Sequence, residues 1–518
     1  MARRRFNENR SGPSASQKRD RAVIVVLDAG TGGGKCAIFD LQGRLRALHR
    51  EPWGYTVHVN PDFPSVREFG FDPGAFWGIL CRCVRAALRD ADVRAGDVVG
   101  VTTTSQREGC VFLDASGQEI YAGPNLDSRG FLEGIEVLST LGGDRLYAIT
   151  GHSAPFIFPL ARVLWFRKND PRPIAHVLMI NDWMSYRLTG VVSAEPSNAT
   201  ESMLFDLRQQ CWSREIIDRF TIPADILPPL YRPGQRLGAI TRAAAATSGL
   251  APGTPVFVGG ADTQCSLLGA GAVEAGDTAA ILGTTTPVQT VVPEPTFDPA
   301  ATLWAGCHVV PDRWVLESNV GDTGDAYNWV LDLVVPQKED QYAAGERLAR
   351  AHDEGDVYSF VGPRIFDLTK MSPSKPGGVL FPFPVMHLRP HPGQLLRACL
   401  ASVGYAVRAN LDQLRTLTPS PERLVAGGGM CRNRLLLELL ATITSLPVHQ
   451  AEEPESTALG GAMLVAAGIG AYADASAAVR AMGRYRVVEP DQSQRQRYDT
   501  GYRRWRQLYD SLEAMMIE

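Results

Sequence analysis

The chain has 518 residues, of which 45% are hydrophobic and 21% charged, a composition that can bury a substantial core and excludes disorder as its overall character. Its length exceeds what one core supports and points to two to four domains of roughly 100 to 200 residues, with room for a cleft between them. With 52 basic and 56 acidic residues the formal charge is -4, so there is no global field to gather nucleic acid or an anionic membrane, and no apolar run reaches the ~18 residues of a membrane-spanning helix.

Residues 1–22 are basic and rich in Ser and Gly, and they lack the apolar core of a secretion signal. They read as a disordered leader. The nine cysteines are scattered, and only Cys81 and Cys83 lie close together. On a helix those two thiols would point about 200° apart, which is poor geometry for zinc. The odd count and wide spacing favour reduced, buried thiols and a cytoplasmic location.

The first periodic element is the apolar, β-branched run from Ala22 to Asp28, a buried strand. It enters the glycine loop Asp28-Ala29-Gly30-Thr31-Gly32-Gly33-Gly34-Lys35, from which a second strand leaves through Asp40 and a third through His49. The loop therefore joins two antiparallel strands and opens no helix, unlike a Rossmann or Walker phosphate loop. An amphipathic helix follows from Asp72 to Asp90, then a strand from Val98 to Thr104. Pro255 to Gly259 reads as another strand, running into a Gly/Asp turn that carries Asp262. Thr278 to Thr286 reads as a strand ending in Gly283-Thr284.

This recurrence suggests a duplicated architecture with a boundary near Ala251, dividing the chain into residues 23–250, 251–485 and a terminal helix within 486–518. Gly355 to Pro392 reads as a long, lid-like loop. Helical spacing returns from Gln394 to Leu417. A strand from Arg423 leads into Gly427-Gly428-Gly429 and a helix from Cys431 to Leu446. A small-residue helix spans Glu455 to Gly468.

A phosphoryl-transfer site must hold a polyphosphate, place a divalent cation and offer a base to a hydroxyl. The glycine loop suits the first need, because amides without β-carbons can approach phosphate oxygens closely. Thr31 adds a hydroxyl, Lys35 a cation, and Asp28 a carboxylate for Mg²⁺-bound water. A triple glycine in a tight hairpin is equally well explained as a turn. Asp262, at a strand end, can take a proton from a nucleophilic hydroxyl; alone, it reads as an Asx turn. Gly-rich strand ends in both halves, together with Gly283-Thr284 and Gly427 to Gly429, are harder to explain as turns.

The segments LDAGTGGGKCAIFD, TTSQREGCVFLD, AGPNLDSRG, MINDWMSYRLTG, GGADTQCSLLGAGAVEAGDTAAILGTT, VAGGGMCRNRLLLELLA and STALGGAMLVAAG resemble the FGGY family of carbohydrate kinases, in the actin/Hsp70/hexokinase superfamily, from Val23 to about Met482. The resemblance implies an α/β chain with two ribonuclease H-like, actin-like ATPase domains closing on MgATP and a small sugar or polyol. It implies Asp262 as catalytic base and Asp28 at Mg²⁺. Gly30, Thr31, Gly32, Gly33, Lys35, Gly283 and Thr284 would meet the phosphates, and Gly428 with Arg432 or Asn433 would lie by adenine. Arg107, Glu108, Asp127, Asp262 and Gln264 would face the acceptor.

Many relatives carry Ser or Thr where Gly33 stands, so one phosphate-directed hydroxyl is missing here. Xylulokinases resemble one another in a Gln-Met-His-Gly segment that this chain lacks. Glycerol kinases share Gln-Arg-Glu, but their substrate-packing aromatic is replaced near Phe156-Ile157. Arg-Glu-Gly, the segment at Asn181 and Pro196-Ser-Asn198 resemble autoinducer-2 kinases, which act on a linear five-carbon dihydroxy-diketone. The alternatives are a pentulose, erythritol or glycerol kinase, or a catalytically silent sugar- and nucleotide-binding regulator. A homodimer is compatible with the family.

Overall fold

The computed structural model describes residues 21–61, 63, 66–337, 339–368, 377–382 and 389–515. The expected leader lies outside the described residues except for Arg21 and Ala22, as do parts of the expected lid-like segment. The described remainder of that segment carries a short strand pair, Tyr358–Ser359 with Val379–Leu380.

Two mixed sheets organise the chain. The first has six strands in the order Arg236–Ala239, Pro255–Ala261, Val98–Ser105, Val23–Ala29, Gly33–Asp40, Leu45–Pro52. Val23–Ala29 is buried along its whole length, as its continuous apolar run requires between two covered faces. It pairs antiparallel with Gly33–Asp40 and parallel with Val98–Ser105, which in turn runs parallel to Pro255–Ala261. The second sheet has seven strands, ordered Trp304–Cys307, Trp314–Asp322, Thr285–Val292, Thr278–Ile281, Leu424–Gly427, Val448–Ala451, Tyr485–Val488.

Three expectations change. Pro255–Ala261 lies inside the first sheet, beside Val98–Ser105, so the change of sheet falls after Ala270 and before Thr278, not near Ala251. Local sequence marks that segment as a buried strand, but its partner is chosen by a contact about 150 residues away. The expected strand from Thr278 to Thr286 breaks at Leu282 into two antiparallel strands with Gly283 and Thr284 in the turn. This hairpin is the counterpart of the first glycine hairpin. Asp262 does not sit in a turn; it is the first residue of the helix Asp262–Ala270.

The helix predicted from Asp72 spans Pro73–Asp90, with the Asp72 carboxylate accepting from the Ala75 amide at 2.8 Å and Phe76, Leu80, Val84 and Leu88 buried. The remaining predicted helices appear as Pro392–Leu414, Arg434–Thr444, Ser456–Gly468 and Arg495–Ala514. Among the described residues no helix is long and apolar enough to cross a membrane.

Ser456–Gly468 packs against the helix that begins at Asp262 so closely that a β-carbon on Gly460 would overlap the Cys265 carbonyl, and one on Gly269 the Ser456 carbonyl. Gly460→Ala should therefore destabilise the protein by about 1–3 kcal/mol, the usual cost of overpacking a tight contact. Denaturant unfolding checks this; an unchanged midpoint would contradict so close an approach.

Candidate active site

The site grows from strand register. Asp28 stands opposite Thr104 and Ala29 opposite Ser105. On the other side of the same strand Gly260 pairs with Thr104 and Ala261 with Ser105. Three parallel strands thus end at one level, delivering Asp28, the segment Gln106-Arg107-Glu108, and Asp262 to one edge. Carboxyl ends of parallel strands are where α/β sheets bind ligands.

Asp262 takes a hydrogen bond from its neighbour, Thr263 Oγ1, at 3.1 Å. Burial, then the nearby charge of Asp28, push its pKa from 3.8 up to about 6, against the pull of Arg107. Its position is fixed from behind. The Ala261 amide donates to Ser197 Oγ at 3.0 Å, and Ser197 Oγ donates to Glu195 at 2.8 Å. Glu195 also accepts from the amides of Ser197 and Asn198, capping the helix Pro196–Thr200.

Across the first hairpin Asp28 faces Lys35, whose Nζ lies 2.9 Å from Asp28 Oδ2 and 3.4 Å from Glu455 Oε2. The charge of Asp28 raises the lysine pKa, so its ammonium is fixed on the carboxylate. Asp28 Oδ1 is buried without a hydrogen-bond partner among the described residues.

In the loop, the Thr31 carbonyl accepts from Tyr55 Oη at 2.5 Å and from Trp53 Nε1 at 3.2 Å, while its hydroxyl meets Asn125 Nδ2 at 3.1 Å. Space around Gly32 is open, but a β-carbon on Gly33 would lie 2.5 Å from the Glu51 carbonyl. The neighbouring strand therefore excludes a side chain at Gly33, a physical reason for the missing hydroxyl.

Beside Asp262, Arg107 is enclosed by acids. Its Nη1 donates to Glu317 Oε2 at 2.7 Å and its Nη2 to Glu317 Oε1 at 3.0 Å. Nη1 also reaches Glu201 Oε1 at 3.4 Å, and Nε stands 3.9 Å from Glu108. The guanidinium lies 5.4 Å from the centre of the Trp304 ring. Burial raises the pKa of Glu108 to about 8 despite Arg107, helped by Glu201, Asp262 and Glu317, so this carboxyl is mostly neutral at pH 7. Glu201 stays below the usual range because Arg107 and His152 outweigh its burial.

Two further expected acceptor-facing residues are buried. Asp127 is fully buried and accepts from Tyr121 Oη, Arg129 Nε (2.7 Å) and the Phe69 amide (3.0 Å), so its carboxylate braces the loop that carries Asn125. Gln264 lies two residues beyond Asp262 on the same helix, about 200° around it, and is buried with Oε1 unpartnered among the described residues.

On the other side Gly283, Thr284 and Gly428 converge. Gly428 has φ +94°, and a β-carbon there would sit 2.5 Å from the Leu282 carbonyl. The Gly283 and Thr284 carbonyls accept from Thr323 Oγ1 (3.2 Å) and the Thr323 amide (2.9 Å), leaving the Thr284 side chain exposed. Asn433 caps the helix Arg434–Thr444 through the Leu436 amide at 3.0 Å, and Arg432 is exposed. Among the described residues no His, Cys, Asp and Glu group of three or more could hold a metal ion. Glu201, Glu317, Gln289 and His152 went unnoticed in the sequence because each is isolated there, and only the fold brings them together.

A family model described as the FGGY family of carbohydrate kinases, N-terminal domain, matches residues 23–269, and its C-terminal counterpart matches residues 278–469. An autoinducer-2 kinase of Klebsiella pneumoniae is 31% identical, with 94% of each chain covered. A xylulose kinase structure from Rhodospirillum rubrum aligns with TM-score 0.80 at 25% identity, covering 96% of this chain and 100% of that one. A gluconate kinase structure from Lactobacillus acidophilus aligns with TM-score 0.82 at 18% identity, covering 95% and 98%.

A base at Asp262 must be ionised to accept a proton. With its pKa at about 6, kcat/KM should rise as pH increases through that value, falling about tenfold per pH unit below it. A pH–rate profile that stays flat down to about pH 4.5 would contradict this environment for Asp262.

Proposed function

From the premise that this chain belongs to the FGGY family of carbohydrate kinases, we propose that it transfers the γ-phosphoryl group of ATP to a primary hydroxyl of a linear five-carbon dihydroxy-diketone of the autoinducer-2 type. That it is an ATP-dependent phosphotransferase acting on a sugar-type hydroxyl follows from the family. The finer substrate rests on one observation, the similarity to autoinducer-2 kinases along 94% of the chain.

In this reading the acceptor hydroxyl lies against Asp262, and the carboxylate takes its proton as the new O–P bond forms and ADP leaves. Arg107 and Glu108 line the acceptor side. The amides of Gly30, Gly32 and Gly33 with the Thr31 hydroxyl face the phosphates from one hairpin, Gly283 and Thr284 from the other. Gly428 leaves room for the nucleoside beside Arg432 and Asn433. Asp28, with its buried and unpartnered oxygen, suits a water-mediated Mg²⁺, which when bound would neutralise charge on the phosphates. Closure of the cleft would exclude water and suppress idle ATP hydrolysis.

A pentulose kinase is the second reading, favoured by the xylulose kinase alignment at TM-score 0.80. A silent binding protein fits poorly with a base poised by burial and a second carboxylate beside it.

Coupled ADP release should be measured on the diketone, xylulose, ribulose, erythritol and glycerol. The highest kcat/KM is expected on the diketone; a clear preference for any other member would refute the substrate assignment. Silence across the whole panel would favour the binding protein.

A further inference from the structure

Arg107 presents a guanidinium on the acceptor side of the cleft, and a free guanidinium there would be a ready partner for a carboxylate or phosphate. It is not free. Glu317 holds both terminal nitrogens in a two-point pair at 2.7 and 3.0 Å, and Glu201 takes a further contact at 3.4 Å. All three side chains are at least nine-tenths buried, with exposures of 10% for Arg107 and 2% for each glutamate.

Each acid has a further polar neighbour. Gln289 Nε2 donates to Glu317 Oε2 at 2.6 Å, and His152 Nε2 stands 3.3 Å from Glu201 Oε2. Glu317 and Gln289 come from Trp314–Asp322 and Thr285–Val292 of the second sheet, whereas Arg107 and Glu201 belong to the first half. The arrangement therefore spans the two halves of the chain.

We propose that Glu317 and Glu201 set the charge specificity of the acceptor site: by occupying the Arg107 guanidinium they deny it to an anionic group, so the site takes neutral polyhydroxylated ketones or polyols and rejects sugar acids and sugar phosphates. One cation meets two carboxylates here, with Asp262 a third acid nearby, so an entering anion faces like charge with no spare donor fork to offset it. A neutral acceptor meets no such barrier, and can use the Glu108 carboxyl as a hydrogen-bond donor. The inference rests on the reading that the cleft holding Arg107 and Asp262 receives the acceptor.

The test compares wild type, Glu317→Gln and Glu201→Gln. For each, kcat/KM and calorimetric binding are measured on the neutral acceptors (the diketone, xylulose and ribulose) and on the five-carbon aldonates xylonate and ribonate. Wild type should bind and phosphorylate the neutral sugars in preference to the acids. Glu317→Gln keeps the shape but releases one side of the guanidinium, and should narrow the neutral-to-acid ratio about tenfold or more. Glu201→Gln should narrow it less, because it removes a single longer contact.

A wild-type preference for the aldonates, or a ratio within twofold of wild type in both folded variants, would overturn the proposal. Unfolding midpoints establish folding. If Glu317→Gln does not fold, the wild-type ratio and Glu201→Gln decide the matter. Neutral acceptors bound in preference to acids, with none of them (the diketone included) phosphorylated, would defeat the kinase reading while upholding the charge rule. Binding of neither class would defeat the reading of the cleft and this inference with it.

Discussion

The parallel alignment of Val23–Ala29, Val98–Ser105 and Pro255–Ala261 is the constraint on which the site depends. Because the three strands end at one level, residues 28, 107 and 262, far apart in sequence, arrive at one edge with no freedom to choose their separation. Backbone hydrogen bonding fixes this geometry before any side chain contributes. The small-residue helix Ser456–Gly468 then presses the helix carrying Asp262 into place, and Glu195 with Ser197 pins the strand end from the opposite side.

Burial and like charge do the rest. Asp28, Glu108, Glu201 and Glu317 are buried and Asp262 is half-buried, so a carboxyl here either finds a cation or holds its proton more tightly. Asp28 is matched by Lys35, and Glu201 and Glu317 share Arg107. Glu108 and Asp262 are left with raised pKa values, to about 8 and about 6. Both shifts come from environment alone.

Much of the frame was legible in the sequence because its signals are local. The buried run before Asp28, the hairpin glycines and the amphipathic spacing after Asp72 each carry their own stereochemical reason. Asp262 was misplaced in a turn because Gly259, Gly260, Asp262 and Thr263 are all turn formers. An acid is equally at home in a helix's first turn, where the backbone dipole favours negative charge. The break at Leu282 was hidden by the β-branched run of threonines after it. Asp127 has partners that no local signal announces: Tyr121, Arg129 and the Phe69 amide all donate to its carboxylate. Glu201 and Glu317 carried no local signal, since their meaning arises only where the two sheets meet.

The central claim is that the aligned strand ends make one phosphoryl-transfer site with Asp262 as its base. Single-turnover transfer by Asp262→Asn, with ATP and acceptor binding measured on the same protein, tests it most directly. Binding of both ligands should persist while transfer slows by about 100- to 10,000-fold, the range for loss of a positioned base. Transfer within about tenfold of wild type, in a variant that binds both ligands normally, would contradict the assignment.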